Sequence, residues 1–310
     1  MATLAPMTGP VYVDQPPVGN IRYGLFTAAN GPFDMPQHGD VGGVQYLQEH
    51  CGQGHLLAAA SCAGATITAA SALDACDSAA IGLPFEVVAG IKAGAFPYDA
   101  REVERRARVR LADNAQYVAE QAFWGGNADV QPALQRPELN GSSGILDITP
   151  TPGTAVTLEY GVGLLENALA AYSYPGILHC QPIVTPYLAA RSLMPRPERE
   201  ARGGTGVFLT PMGNVWSFGR GYSGNKPNND ASAAPAGTAY IVATGAVTIW
   251  RDPKVFVSPP ERTFDRSGNA WQTTAQQAYA TTIDCVAFFV LVGLDAITAS
   301  TGAATAGRLY

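Results

Sequence analysis

A chain of 310 residues that is 47% hydrophobic and only 14% charged can bury a large core, but its exterior is far poorer in charge than the usual quarter. Such a surface suits a subunit that hides much of itself against copies of itself. The net charge of −6, with 16 arginines and 3 lysines, argues against a nucleic-acid reader, which shows a basic stripe. The longest apolar run, VAFFVLVGL at 286–294, is about half of the ~20 residues a membrane-spanning helix needs. MATLAPMTGP lacks the basic and apolar regions of a signal peptide, so neither a membrane nor an export route is expected.

Residues 1–40 carry prolines at 6, 10, 16, 17, 32 and 36. No helical or strand period survives that spacing, which predicts an extended N-terminal arm held down by another subunit. Residues 41–97 read as two strand-like stretches, VGGVQYLQE and LPFEVVAGIK, around a middle rich in Ala, Ser and Thr. Periodicity leaves that middle open between a loose helix and a long loop.

The clearest element is 99–124. Val103, Ala107, Leu111, Ala115, Val118 and Ala122 recur at four and three, one stripe of a helix about 39 Å long. Asp99 starts it and Gly125-Gly126 stops it. LEYGVGLLENALAAY (158–172) and VTPYLAAR (184–191) predict shorter helices, with GILHC (176–180) a buried strand between them. Residues 204–260 are rich in strand signals, and YATTIDCVAFFVLV (279–292) reads as one buried strand. Helices and strands mix without a βαβ rhythm, so the class is α+β.

Chemical motifs are weak. HCGQGH (50–55) holds two of the four histidines and Cys51. It lacks the pair spacings of a zinc site, and His50 would leave a strand on the face opposite Cys51. Cys51, Cys62, Cys76, Cys180 and Cys285 form no CxxC pair and read as free thiols. GRGYSG (219–224) matches GxGxxG, but NKPNNDASAAP follows where a dinucleotide site needs a helix. Gly219, Gly221 and Gly224 instead suit a tight hairpin or strand kink. Asn140-Gly-Ser142 is a sequon without other signs of secretion. The Arg/Glu run at 101–110 balances its own charge and reads as a solvated or subunit-facing helix side. No catalytic, cofactor-binding or metal-ligating residue is assigned, and no cofactor is expected.

The order of arm, long loop region, lone long helix and mixed domain resembles the major capsid proteins of tailed phages, the Hong Kong 97 type. AEQAFWGG ends the long helix, with Glu120, Phe123, Trp124 and Gly125 matching the frequent end of that family's spine helix. GILHCQP, LTPMGNVWSFGRGYSG and DRSGNAW…AQQAYATTIDCVAFFVLV are similar to its axial strand-then-helix, its β-hairpin and its closing segment.

The resemblance implies a Hong Kong 97-like fold with an N-terminal arm (1–40), an extended loop region (41–97) and a peripheral domain (98–155) with spine helix 99–124. An axial domain (156–270) and a return to the peripheral domain (271–310) follow. It implies no enzyme but a virion shell protein assembled in the host bacterial cytoplasm into hexamers and pentamers. Its partners would be copies of itself, a separate scaffold, a portal, decoration proteins and packaged double-stranded DNA contacted non-specifically. The family's Lys–Asn crosslink is not expected, since Lys92, Lys226 and Lys254 include none at an obvious loop tip. The alternatives are an encapsulin-like nanocompartment shell and, in another class, a cytosolic Cys–His hydrolase or transferase using Cys51 or Cys180.

Overall fold

The computed structural model describes residues 23–47, 79–94, 99–125, 145–172, 175–194, 206–227, 232–259, 264–284 and 286–294. The first half holds α1 (Leu25–Ala28), β1 (Asn30–Asp34), α2 (Gly39–Gly42), β2 (Val44–Leu47), β3 (Ala79–Gly82), β4 (Pro84–Gly94) and α3 (Ala100–Gly125). The second holds β5 (Ile145–Asp147), α4 (Leu158–Leu169), β6 (Ile177–Cys180), α5 (Thr185–Ala190), β7 (Val215–Phe218), β8 (Thr238–Thr244), β9 (Val247–Arg251), β10 (Phe256–Val257), β11 (Ala270–Ile283) and β12 (Ala287–Gly293). The class is α+β, with one parallel crossover, β6–α5–β7, among otherwise mostly antiparallel ladders.

The first sheet is built on β11. Residues 270–280 pair with β4 along one side, while β10 and β9 pair along the other, and β1 adds parallel to β9. β4 alternates: Glu86, Val88, Gly90 and Lys92 are exposed, and Val87, Ala89 and Ile91 turn toward α3, the period of a strand with one covered face. There Ala107, Leu111 and Ala115 join Val87 and Ala275 in one apolar cluster. Asp99 Oδ1 caps α3 by accepting from the Glu102 amide at 2.7 Å. Glu102 pairs with Arg105 and Arg106, and Glu104 with Arg108, so the Arg/Glu run is spent largely within its own helix.

The second sheet runs β5-β12-β8-β6-β7. Leu178, Cys180, Ile241, Ala243, Val290 and Val292 pack under α4 and α5 against Leu158, Val162, Leu165 and Leu188. Their neighbours Ile177, Val242, Phe289 and Leu291 face the other way, onto Phe123 and Trp124 at the end of α3. Both faces are covered, which is why these strands read as unbroken apolar runs rather than alternating ones.

Two expectations change. YATTIDCVAFFVLV is two strands in two sheets: β11 ends at Ile283, and β12 begins at Ala287 beside β8. The chain also crosses between the sheets at 245–246, and the crossings are tied by Gly245 N to Val286 O at 2.9 Å and Asp284 N to Ala246 O at 2.8 Å. Residues 23–40, read from the sequence as part of an extended arm, include a parallel strand of the first sheet and fully buried Leu25. β4 is the strand that LPFEVVAGIK predicts, and it pairs along β11.

Leu111 is 2% exposed where α3 lies on the first sheet. Replacing it with alanine is expected to cost about 2–5 kcal/mol, read as a lowered urea midpoint with unchanged m-value.

Candidate functional site

Around residue 115 the buried stripe of α3 widens. The sequence placed Val118 and Ala122 on it, but they are half-buried, and Gln116, Ala119, Glu120, Phe123 and Trp124 are buried instead. The helix is covered on a second flank here, by residues 23–25 and by the loop 219–224.

Glu120 is fully buried and holds both coverings. Its Oε1 accepts from the Leu25 amide at 2.9 Å and from Gln116 Nε2 at 2.8 Å. Its Oε2 accepts from the Gly221 amide at 3.0 Å. Two glycines make this approach feasible. A Cβ on Gly24 would lie 2.2 Å from Glu120 Oε1, and one on Gly221 would lie 2.2 Å from the Tyr117 carbonyl. Burial raises the carboxyl pKa above its ordinary value, and the bonds from Gln116 and the backbone amides oppose that rise.

Beside it runs a chain of buried hydrogen bonds whose direction is fixed by its last member. Thr244 Oγ1 donates to Gly245 O at 2.9 Å, so it accepts from His179 Nε2 at 2.9 Å. His179 is then the Nε2–H tautomer, and its Nδ1 accepts from Tyr222 OH at 3.0 Å. Tyr222 in turn accepts from Ser217 Oγ at 2.7 Å. Desolvation pushes the His179 pKa down to about 3 and, with the Glu120 charge second, raises that of Tyr222. The rings of Phe123 and His179 lie 5.0 Å apart, as do those of Trp124 and Tyr222, and Trp124 Nε1 donates to Asn225 O at 3.0 Å.

This arrangement holds elements together, and within it His179 and Cys180 are not set as base and nucleophile. His179 is neutral and saturated on both nitrogens. Cys180 is fully buried, and desolvation raises its thiol pKa far above the nucleophilic range. Next to His179 in β6, it points into the opposite core.

GRGYSG turns directly after β7, with Tyr222 N bonded to Gly219 O at 3.4 Å, and lies as a saddle over α3, with Gly224 at φ +70° beside Gln181. Lys92 makes a 2.7 Å ion pair with Asp265, which lowers the Asp265 pKa. His38 is exposed beside α2. HCGQGH, Cys62, Cys76, Cys285 and the Asn140 sequon lie outside the described residues. Among the described residues no group of three or more His, Cys, Asp or Glu side chains could hold a metal ion, and no helix is long and apolar enough to cross a membrane. The buried role of Gln116 and the proton order through Ser217, Tyr222 and Thr244 had no sequence signal, because their partners lie far away in the chain.

No protein-family model matches the chain, and neither does any curated protein. Solved structures do. The capsid of an empty GTA particle, computed with C5 symmetry, is 17% identical, covers 90% of this chain and 100% of its own, and has a TM-score of 0.46. The capsid of Ralstonia phage GP4 is 11% identical over 95% of this chain and 98% of its own, TM-score 0.46. The holo-SrpI encapsulin complex from Synechococcus elongatus PCC 7942 is 11% identical over 71% of this chain and 76% of its own, TM-score 0.40.

Replacing Glu120 with alanine leaves two backbone amides and the Gln116 amide without an acceptor. A loss of about 2–4 kcal/mol in urea denaturation is expected. Glu120→Gln keeps one acceptor oxygen but turns an NH2 toward N–H donors, and is expected to lose less. Because the folded pKa is raised, the stabilising share of the protonated acid is full below the unfolded value of about 4.5 and fades as pH rises through the folded one. The gap between wild type and Glu120→Gln should therefore narrow with rising pH. Cys180 should resist iodoacetamide in the folded chain and react once urea unfolds it, followed by peptide mass spectrometry.

Proposed function

We propose that the chain is the major capsid protein of a tailed double-stranded DNA bacteriophage, a shell subunit that assembles into the hexamers and pentamers of an icosahedral head. The observation that carries this reading is the layout of the long helix. α3 lies along a β4–β11 ribbon, and its last turns are locked under a second sheet buried on both faces. This layout supports reading α3 as the spine helix, between a peripheral and an axial domain, that the sequence resemblance implies. On this reading the division is arm, loop region, peripheral domain, axial domain and return, with residues 23–40 docked onto the peripheral sheet and β9–β10 belonging to it.

The partners would be copies of the chain, a separate scaffold, a portal, decoration proteins and loosely held DNA, in a virion assembled in the bacterial cytoplasm. The buried state of His179 and Cys180 supports a non-enzymatic role for that pair.

Negative-stain electron microscopy of the purified chain tests this. Hollow closed particles or rings of it are the expected result. Particle diameter and contents then separate a phage head from an encapsulin-like compartment. A dispersed chain that stays dispersed after crowding and with candidate scaffold proteins would overturn the reading.

A further inference from the structure

We propose that the open edge of β4 pairs with the same edge of a second copy of the chain, antiparallel about a two-fold axis at Ala89; the inference rests on the shell-subunit reading. β4 is 11 residues long and pairs only with β11 among the described residues. A free edge of that length is a template for another strand, and proteins usually shorten, bulge or cover it.

The far side of β11 fixes which groups that edge offers. Thr274 O accepts from the Ser258 amide at 2.9 Å, and the Thr274 amide donates to Ser258 Oγ at 2.8 Å. Ala278 O accepts from the Asp252 amide at 2.9 Å. Both residues turn their backbone groups away from β4, so their cross-strand partners Gly90 and Glu86 turn theirs away from β11. By the two-residue period of a strand, Val88 and Lys92 do the same. Gly90 O takes Arg110 Nη1 at 3.1 Å, and a carbonyl with two lone pairs can accept a strand amide as well.

The side chains at these four positions identify the occupant. A two-fold axis at Ala89 sets Glu86 against Lys92 of the second copy and Val88 against its Gly90, and the reverse. Opposite charges across strands are favourable. Glu86 is exposed and makes no ion pair among the described residues, and Lys92 keeps 58% of its side chain exposed beside Asp265. Val88 is 52% exposed and would lie over a position without a side chain. A Cβ on Gly90 would meet nothing nearer than Thr274 Cγ2 at 3.6 Å. The chain's own packing therefore leaves room for a side chain there, although a glycine weakens a strand interior and often marks the close approach of another chain. Moving the axis one residue either way would set Glu86 against Gly90 or Gly94 and lose the charge pair. The edge is complementary to itself.

The test uses the Ala89→Cys variant and first confirms by microscopy that wild-type chains form particles. The axis brings the two copies of position 89 to a Cα separation of about 4.5 Å, within disulfide reach. Oxidised particles, digested without reductant, should yield the peptide carrying position 89 joined to itself, which only two chains can give. Glu86→Cys particles should give no such self-link, because the two copies of position 86 lie about 20 Å apart along the strands. No link at 89, or an equal link at 86, would overturn the proposal.

Hydrogen exchange tests the wild type directly and decides alone if Ala89→Cys does not assemble. The Val88 and Gly90 amides should exchange more slowly in particles than in dispersed chains, and equal exchange would overturn the pairing. Protection in particles whose Ala89→Cys form gives no link would assign the edge to a different strand, which also overturns it. Failure of the wild type to form particles would sink the shell reading itself, whereas well-formed particles without the link would sink only the edge pairing.

Discussion

One carboxylate fixes how the parts of this molecule meet. Glu120 sits where the N-terminal segment, the long helix and the loop after β7 converge, and it satisfies a backbone amide from each covering segment. Burying a carboxylate is expensive unless nearly every lone pair finds a donor. Beside the Gln116 side chain, two of the donors are backbone amides, which cannot move away without unfolding their own segments. The cost of burial is offset only when all three pieces are seated together, so the joint is all-or-none. Gly24 and Gly221 are the steric condition for it, since a Cβ at Gly24 would strike the carboxylate and one at Gly221 would strike the Tyr117 carbonyl of the helix.

The remaining architecture follows from what each face of α3 meets. Over its first turns the helix has one covered side, on the β4–β11 ribbon, and its open side is laced with its own Glu–Arg pairs. Such exposed pairs add little stability. Over its last turns it is covered on two sides, and Phe123 and Trp124 reach the second sheet. The ordered hydrogen bonds from Ser217 to Gly245 keep that contact neutral. Burial disfavours a charged His179 there and pushes its pKa down to about 3.

Much of this was legible in the sequence where the signal is local. The stripe through Val103, Ala107, Leu111 and Ala115 and the cap at Asp99 mark the long helix within a residue of its observed start. GILHC reads as a buried strand because both its faces are covered. What was missed depends on contacts between distant residues. Glu120 was legible only as part of a resemblance, because nothing local shows that Leu25 and Gly221 will meet it. The break at 284–286 was hidden because β11 and β12 are apolar on both sides of it. Pro32 and Pro36 suggested an irregular arm, yet β1 holds Pro32 at the outer edge of the sheet, where its missing N–H does no harm. GRGYSG showed its glycines but not what they make room for, which is the backbone of α3.

β11 has a mechanical consequence. At Tyr279 and Ala280 the strand is bonded to β4 on one side and β9 on the other, so the two ladders overlap before either ends. This is the layout of a lap joint. A pull along the strand axis loads the hydrogen bonds of the overlap together in shear, instead of peeling them one at a time. Tension entering through β4 thus passes through β11 to β9. A sheet built this way carries load across its strands as a stiff plate.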